Sequence, residues 1–378
     1  MPSVLHHRRY TANHTWHVTL MRRRMFIKMN PAATEAQQEV AGHYRLRSYY
    51  PVPDLLGVHR VARWTFLAYR LWPHAGTDAG LLLDEITRAD VTGDLGRLDA
   101  CFTDVLDHYT AVIHRTLRGA APADTVTKLY GDREAPGGRL DDYYGSRAPW
   151  AALASQKGRA NDQFLDLEVN GRSRRLDFAG LRTSLHKRFH PKRIVWAAIT
   201  QGDSTDFNIG WSPEEGPIWF DYDTGGLSSL AGEFACFLLY QRLHGAWLTP
   251  SYNPAAYRDH PSALETSIRP APNVDIRRHH DRAISINYTH RPSPARLHLM
   301  RRYVDELVVP MSEHLRVKDL MDWLRPYLIM RLLAVYDLNL LRPRDVGLSI
   351  GLLAEALDPE IALCNLLALE PREIVSVV

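Results

Sequence analysis

Asp203 and Asn208, set at the two ends of DSTDFN, and Asp221 and Asp223, in FDYD, bring oxygen donors to one short region of this 378-residue chain. Two apolar runs, Asn208 to Trp211 and Pro217 to Phe220, flank a polar turn over Ser212 to Gly216. That pattern predicts a β-hairpin. Its antiparallel fold-back puts Asn208 and Asp221 at the same end, and Asp203 enters that end from the loop before it. One carboxamide and two or three carboxylates suit a hard cation such as Mg²⁺, which takes one or two protein oxygens and completes its shell with phosphate and water. Phosphoryl transfer uses such an ion together with a separate carboxylate that accepts the proton of the attacked hydroxyl. The competing reading is a solvated polar turn beside an exposed hairpin.

A second pair of residues fits the same chemistry. Lys28 lies late in the apolar run MFIKMN, and a lysine there is ordinarily a solvated edge charge. The following segment, ATEAQQEVAGHYRLRSYY, has a helical pattern with Thr34 as its N-cap and Glu35 and Glu39 one turn apart. A strand lysine paired with a glutamate of the next helix is how a lysine is held against the α- and β-phosphates of a nucleotide.

Taken together, these segments resemble the aminoglycoside phosphotransferase and choline kinase-like group, whose pattern is HGDxxxxN followed by an (I/V)DF strand end. The matching residues are Gly202, Asp203 and Asn208, then Phe220, Asp221 and Tyr222, with Gln201 where the pattern has His. The resemblance implies an α+β, two-lobed protein-kinase-like fold and transfer of the γ-phosphoryl group of ATP or GTP to a hydroxyl of a small polar molecule such as an aminoglycoside, nucleoside or sugar. It implies Asp203 as catalytic base and Asn208 and Asp221 as Mg²⁺ ligands, with Asp223 as helper. Lys28 and Glu39 would serve the nucleotide, Glu39 fitting the group's E-x-x-x-x-x-L helix better than Glu35. Asn13 and His14, in the turn TANHT, would face the phosphates, and the backbone of Arg70, Leu71 and Trp72 the adenine edge. The protein-kinase branch is disfavoured, since HRD, DFG and APE are absent as written. The alternative is a catalytically impaired pseudokinase or nucleotide-binding module, favoured by the glycine-free TANHT turn and by Gln201.

Composition narrows the classes. Hydrophobic residues make up 45% and charged residues 24% of the chain, ordinary for a globular protein. A formal charge of +3 gives no argument for a nucleic-acid partner. No apolar run reaches the ~18 residues that span a bilayer, and the N-terminal MPSVLHHRRYTANHTW carries no apolar stretch of signal-peptide length. Cys101, Cys236 and Cys364 lie far apart without metal-ligand spacing, which suits free thiols and a cytoplasmic setting. No membrane partner is expected.

The flanking elements follow from pattern. Strands are expected over Leu5 to Thr11, Trp16 to Met21 and Met25 to Met29. Two more, over Val58 to Trp64 and Thr65 to Trp72, complete a five-stranded antiparallel sheet, so that residues 1–73 form the N-lobe and 74–378 the C-lobe. Helices follow from Leu81 to the residues before 120. Residues 120–178 read as an insertion: a long loop over 120–162, in which Asp141, Asp142, Tyr143 and Tyr144 would meet a polar substrate, then a hairpin around Asn170-Gly171. A basic helix, AGLRTSLHKRFHPKR, leads to the catalytic loop. After it, LAGEFACFLLYQRLHGAWL reads as a buried helix whose Glu233 needs partners, here the backbone of the catalytic loop. Residues 248–294, with His279-His280, read as loop, zinc being a minor reading there. The remainder is helical, punctuated by Pro326 and Pro343.

Overall fold

The computed structural model describes residues 3–7, 14–20, 23–73, 78–153, 163–280 and 283–369. The chain divides into two compact units, 1–126 with 194–233 and 244–269, and 127–193 with 234–243 and 270–378.

The first unit begins with the expected five-stranded antiparallel sheet. Its strands are β1 (Ser3–His7), β2 (His14–Leu20), β3 (Arg23–Asn30), β4 (Leu55–Val61) and β5 (Trp64–Arg70), in the order β1-β2-β3-β5-β4. β1 ends at His7, short of the predicted Thr11, and residues 8–13 fall outside the described part. Lys28 sits mid-register, opposite Thr15 on one side and Leu67 on the other. Between β3 and β4 runs α1 (Ala33–Leu46). Its buried residues Ala36, Glu39, Gly42, His43 and Leu46 recur every three to four positions, the single inward stripe of a surface helix. Ala32, not Thr34, precedes the helix, and no side chain caps it; Thr34 lies exposed within the first turn.

The rest of this unit frames the hairpin. α2 (Leu82–Thr92) and α3 (Gly96–Thr116) are amphipathic, and α3 buries Phe102, Val105, Tyr109 and Ile113. The strand Val195–Thr200 pairs with Gly226–Ser229 on one edge and with Arg118–Ala120 on the other. The strands Ile209–Ser212 and Gly216–Trp219 form the predicted hairpin, joined by Gly216 at φ 74°. A left-handed turn residue costs glycine least. Trp219 is the centre of an aromatic cluster with Tyr50, His108 and Tyr109, which seats the hairpin on α3.

In the second unit the predicted hairpin at 164–178 is present as Phe164–Val169 and Arg172–Asp177, with Asn170 and Gly171 at φ 47° and 82°, the two positive φ values that a two-residue hairpin turn needs. Phe164–Val169 also pairs, in parallel, with Ala283–Thr289, which belongs to a second hairpin with Asn273–His280. The 248–294 stretch is therefore not loop: alternating apolar residues Ile276, Ile284 and Ile286 were masked by the charge around them. The helix Pro343–Leu357 packs on this four-stranded sheet through Gly347 and Gly351, where an added Cβ would lie 2.8 Å from Ile276 Cδ1 and 2.6 Å from Tyr288 Cε1. Pro343 opens that helix at its first turn, where its missing N–H has no bond to lose. Pro326 lies inside Leu320–Ala334 and does not divide it.

Residues 120–162 are also more ordered than a loop reading allows. Short helices, Gly131–Glu134 and Arg139–Tyr144, occupy the segment, while 154–162 lie outside the described residues. Tyr144 is buried, with its hydroxyl donating to the Leu333 carbonyl at 2.9 Å. Asp141 accepts from Arg182 at 2.6 Å and from the Gly137 amide at 2.7 Å. The Gly137 amide and then the Arg182 guanidinium hold the Asp141 carboxyl below its ordinary range. These two residues are engaged structurally rather than left for a substrate. Among the described residues no helix is long and apolar enough to cross a membrane.

Candidate active site

The site lies within the first unit. Lys28 Nζ stands 2.7 Å from Glu39 Oε2 and 2.9 Å from Asp221 Oδ1. Burial alone would lower the lysine's pKa, but the carboxylates of Asp221 and Glu39 outweigh it and leave the amine raised well above its ordinary value. Its charge is therefore permanent at physiological pH. Glu39 is fixed from its other oxygen by the Tyr69 hydroxyl, at 3.0 Å. Burial and the neighbouring Glu39 push Tyr69 upward, so it remains a donor. Glu35, the other candidate, is exposed on the outer face of α1.

Asp221 follows the hairpin directly. Phe220 N donates to the Asn208 carbonyl at 2.9 Å, so the two chain ends are level and Asp221 leaves from that point. Asp221 has φ 57°, a left-handed conformation that a non-glycine residue adopts at a cost of roughly 1 kcal/mol. Its side chain is 44% exposed, so a carboxylate bonded to a buried lysine still opens to the exterior.

Three contacts hold Asp221 there. Lys28 takes its carboxylate, and the Gln201 amide nitrogen donates to its carbonyl at 2.6 Å and to that of Phe220 at 2.9 Å. Gln201 Oε1 in turn accepts from the Asp203 amide at 2.8 Å. Gln201 thus ties the start of the D-x-x-x-x-N turn to the strand end that carries Asp221, using both poles of a buried carboxamide. A neutral amide offers donor and acceptor together at any pH. Packing of α1 supplies the third contact. Gly42, one turn after Glu39, lies so near Tyr222 that an added Cβ would meet the Tyr222 carbonyl oxygen at 1.7 Å. Only glycine permits that approach.

The turn itself closes on local bonds. Thr205 N donates to the Asp203 carbonyl at 2.8 Å, Asn208 N to the Thr205 carbonyl at 3.0 Å, and Asn208 Nδ2 to the Asp203 carbonyl at 2.8 Å. The last bond commits the amide nitrogen of Asn208 and turns its Oδ1 the other way. Gly202, at φ 88°, donates its N–H to Glu233 Oε2 at 3.0 Å, as the need of Glu233 for partners predicted. Burial raises the Glu233 carboxyl; the hydroxyls of Thr200, Tyr109 and Ser204 and the Gly202 amide act against that rise.

The remaining predicted residues are spread along β2 and β5. His14 begins β2 and its ring stacks near Trp16, while Asn13 lies outside the described residues. The amides of Arg70 and Leu71 already donate, to the carbonyls of Asp54 and Arg24 at 2.9 and 3.2 Å. Trp72 lies on the hairpin, its ring 5.5 Å from that of Phe220 and against Gly210. Asp223 is near enough to raise the pKa of Lys28. Among the described residues no three His, Cys, Asp or Glu side chains converge as a metal cage. Tyr69 and Gly42 carry no signal in the sequence, and Tyr222 has there only a place in the motif match; each works through a partner distant in the chain.

No protein-family model matches the sequence, and neither does any curated protein. Solved structures do resemble it. One is a thermostable mutant of an aminoglycoside phosphotransferase in ternary complex with ADP and hygromycin B, at 10% identity and TM-score 0.45 over 92% of this chain and 94% of that one. Another is an ethanolamine kinase of Plasmodium vivax, at 11% identity and TM-score 0.42 over 95% and 82%. A third is a microcompartment-associated aminopropanol kinase, at 14% identity and TM-score 0.40 over 94% and 91%. All three are named as kinases or phosphotransferases. Likenesses of this degree carry no functional argument, which has to come from the geometry.

Proposed function

We propose that this chain transfers the γ-phosphoryl group of ATP or GTP to a hydroxyl of a small polar molecule such as an aminoglycoside, nucleoside or sugar. The observation that carries the reading is the largely enclosed Lys28, 12% exposed and held at 2.7 Å from Glu39 and 2.9 Å from Asp221, with Gln201 binding the Asp203 turn to the same strand end. A purely structural ion pair gives no reason for a 44% exposed Asp221 in a left-handed conformation. Such strain persists where the surroundings enforce it for use.

In this reading Lys28, oriented by Glu39 and Tyr69, presents its fixed charge to the α- and β-phosphates. Asp203 accepts the proton of the acceptor hydroxyl as the new P–O bond forms. Asn208 and Asp221, with Asp223 as helper, would hold Mg²⁺. The donor set fits that ion, being all oxygen, with the Asn208 nitrogen already committed and too few protein ligands for a closed cage. Bound there, Mg²⁺ would neutralise charge on the phosphate oxygens. His14, with Asn13, would lie along the phosphates. Of the segment Arg70 to Trp72, whose first two amides are used within the sheet, Trp72 is left to donate to the base edge.

The pseudokinase alternative drew on Gln201 and on the glycine-free TANHT turn. Gln201 makes three bonds that tie the Asp203 turn to the strand end, which weighs against its share of that case. The test is ³¹P NMR of the protein with Mg²⁺ and ATP or GTP over a panel of aminoglycosides, nucleosides, choline and sugars. A phosphomonoester signal that disappears in Asp203→Asn is the expected result. Absence of any Mg²⁺-dependent nucleotide binding would overturn the proposal, and binding without product would return the case to the pseudokinase.

A further inference from the structure

Behind the Asp203–Asn208 turn lies a small core of its own. Phe207 packs with Leu81 and Leu264 against Leu83, Ala256, Tyr257 and Ala263, and its ring lies 5.0 Å from that of Tyr257 and 6.1 Å from that of His260. His260 Nδ1 donates to Asp84 Oδ1 at 2.6 Å, with the two side chains 14% and 34% exposed. Asp84 cannot swing away cheaply. Its other oxygen accepts from the Leu81 amide at 2.8 Å and so closes the first turn of α2. One residue earlier, the Leu83 amide donates to the carbonyl of Asp206 at 3.2 Å. The start of α2 and the start of the helix Pro261–Ser267 therefore both bear on residues 206 and 207, immediately before Asn208.

We infer that Asp84 and His260 form a latch that clamps Phe207 and thereby sets where Asp203 and Asn208 stand. Both are positioning residues: neither reaches the reacting atoms, and each acts through the turn. This rests on the phosphotransfer reading for its effect on rate, but not for the latch itself. An ordinary ion pair between α2 and the Pro261–Ser267 helix would stabilise the unit without favouring any one loop. A latch changes the turn first.

The experiment compares His260→Leu, which removes the donor, with His260→Gln, which keeps one, and with Asp84→Ala. Amide hydrogen exchange over Thr205–Asn208 is read beside thermal stability and beside kcat and KM for the nucleotide, with the best acceptor found. In His260→Leu and Asp84→Ala, exchange at Phe207 and Asn208 should rise at least ~10-fold, the scale of one lost hydrogen bond to a charged group. kcat should fall while KM for the nucleotide moves little, and His260→Gln should recover most of both. Unchanged exchange over the turn overturns the latch, as does a rise spread evenly over the whole unit. Raised exchange with kcat unmoved overturns its positioning role. A wild-type protein without turnover defeats the phosphotransfer reading instead, and exchange still decides the latch.

Discussion

In the phosphotransfer reading Asp203 and Gln201 do separable work, and substitutions distinguish them. Asp203→Asn keeps the backbone amide that Gln201 accepts from, so the turn should persist; a proton acceptor is what it loses. Phosphoryl transfer should fall by ~10²–10⁴-fold with Mg²⁺–nucleotide affinity retained, measured by rapid quench beside calorimetric titration. Gln201→Glu conserves volume and still accepts from Asp203 N, but it sets carboxylate lone pairs against the carbonyls of Phe220 and Asp221, where the amide now donates. Leaving those half-buried acceptors unmatched should cost about 1–3 kcal/mol, seen as a lower melting temperature together with weaker nucleotide binding. The D-x-x-x-x-N and FDYD segments were legible in the sequence because they are local: they flank one hairpin and meet at its end. Gln201 read there only as a departure from His, since nothing in the sequence shows that both poles of its amide would find partners.

Elements explain why Lys28 can be buried at all. α1 meets the sheet through Glu39 and the Asp221–Tyr222 segment through Gly42, so one helix face serves the lysine and the strand end together. Gly42→Ala tests this. In a free helix the change would help by roughly 1 kcal/mol; here the new Cβ at 1.7 Å from the Tyr222 oxygen must push the helix or the segment aside. We expect net destabilisation of about 1–3 kcal/mol, the scale of an overpacked core, and loss of nucleotide affinity, measured by urea unfolding and by titration. A stabilised Gly42→Ala protein would show that α1 is free to move off. The strands and helices themselves were readable, since β2 alternates polar and apolar residues, β3 and β5 are apolar runs, and α1 carries one buried stripe. Gly42 was not, because a mid-helix glycine looks like a weak helix residue until its partner from another part of the chain is in place. Tyr69 was hidden likewise, one aromatic among several in an apolar strand.

At the scale of the molecule, what the sequence concealed is long-range pairing. The Asn170-Gly171 hairpin was plain, and the His-rich stretch looked like loop, yet the two form a single sheet through parallel pairing of Leu167 with Ile284 and Val169 with Ile286. Charge on the exposed face of Asn273–His280 hid the alternation, and no local signal announces a parallel partner. Where that sheet ends, His290 is buried and its Nδ1 lies 2.6 Å from Arg242 Nη1, a donor, so the ring must be neutral to accept. Burial and then the adjacent guanidinium push its pKa down to about 3 from 6.5. An unfolded chain takes up a proton at His290 below pH 6.5 and the folded chain does not, so stability is complete above 6.5 and is lost as pH falls toward 3. Between pH 7.5 and 5.5 this one group should remove about 1.4 kcal/mol, the worth of one pKa unit. His290→Gln retains an acceptor for Arg242 and cannot titrate, so urea unfolding at the two pH values should show its acid loss smaller by that amount. An equal loss in both proteins would place the acid sensitivity elsewhere, with His43 and His108, whose burial lowers them in the same direction, as the next to replace.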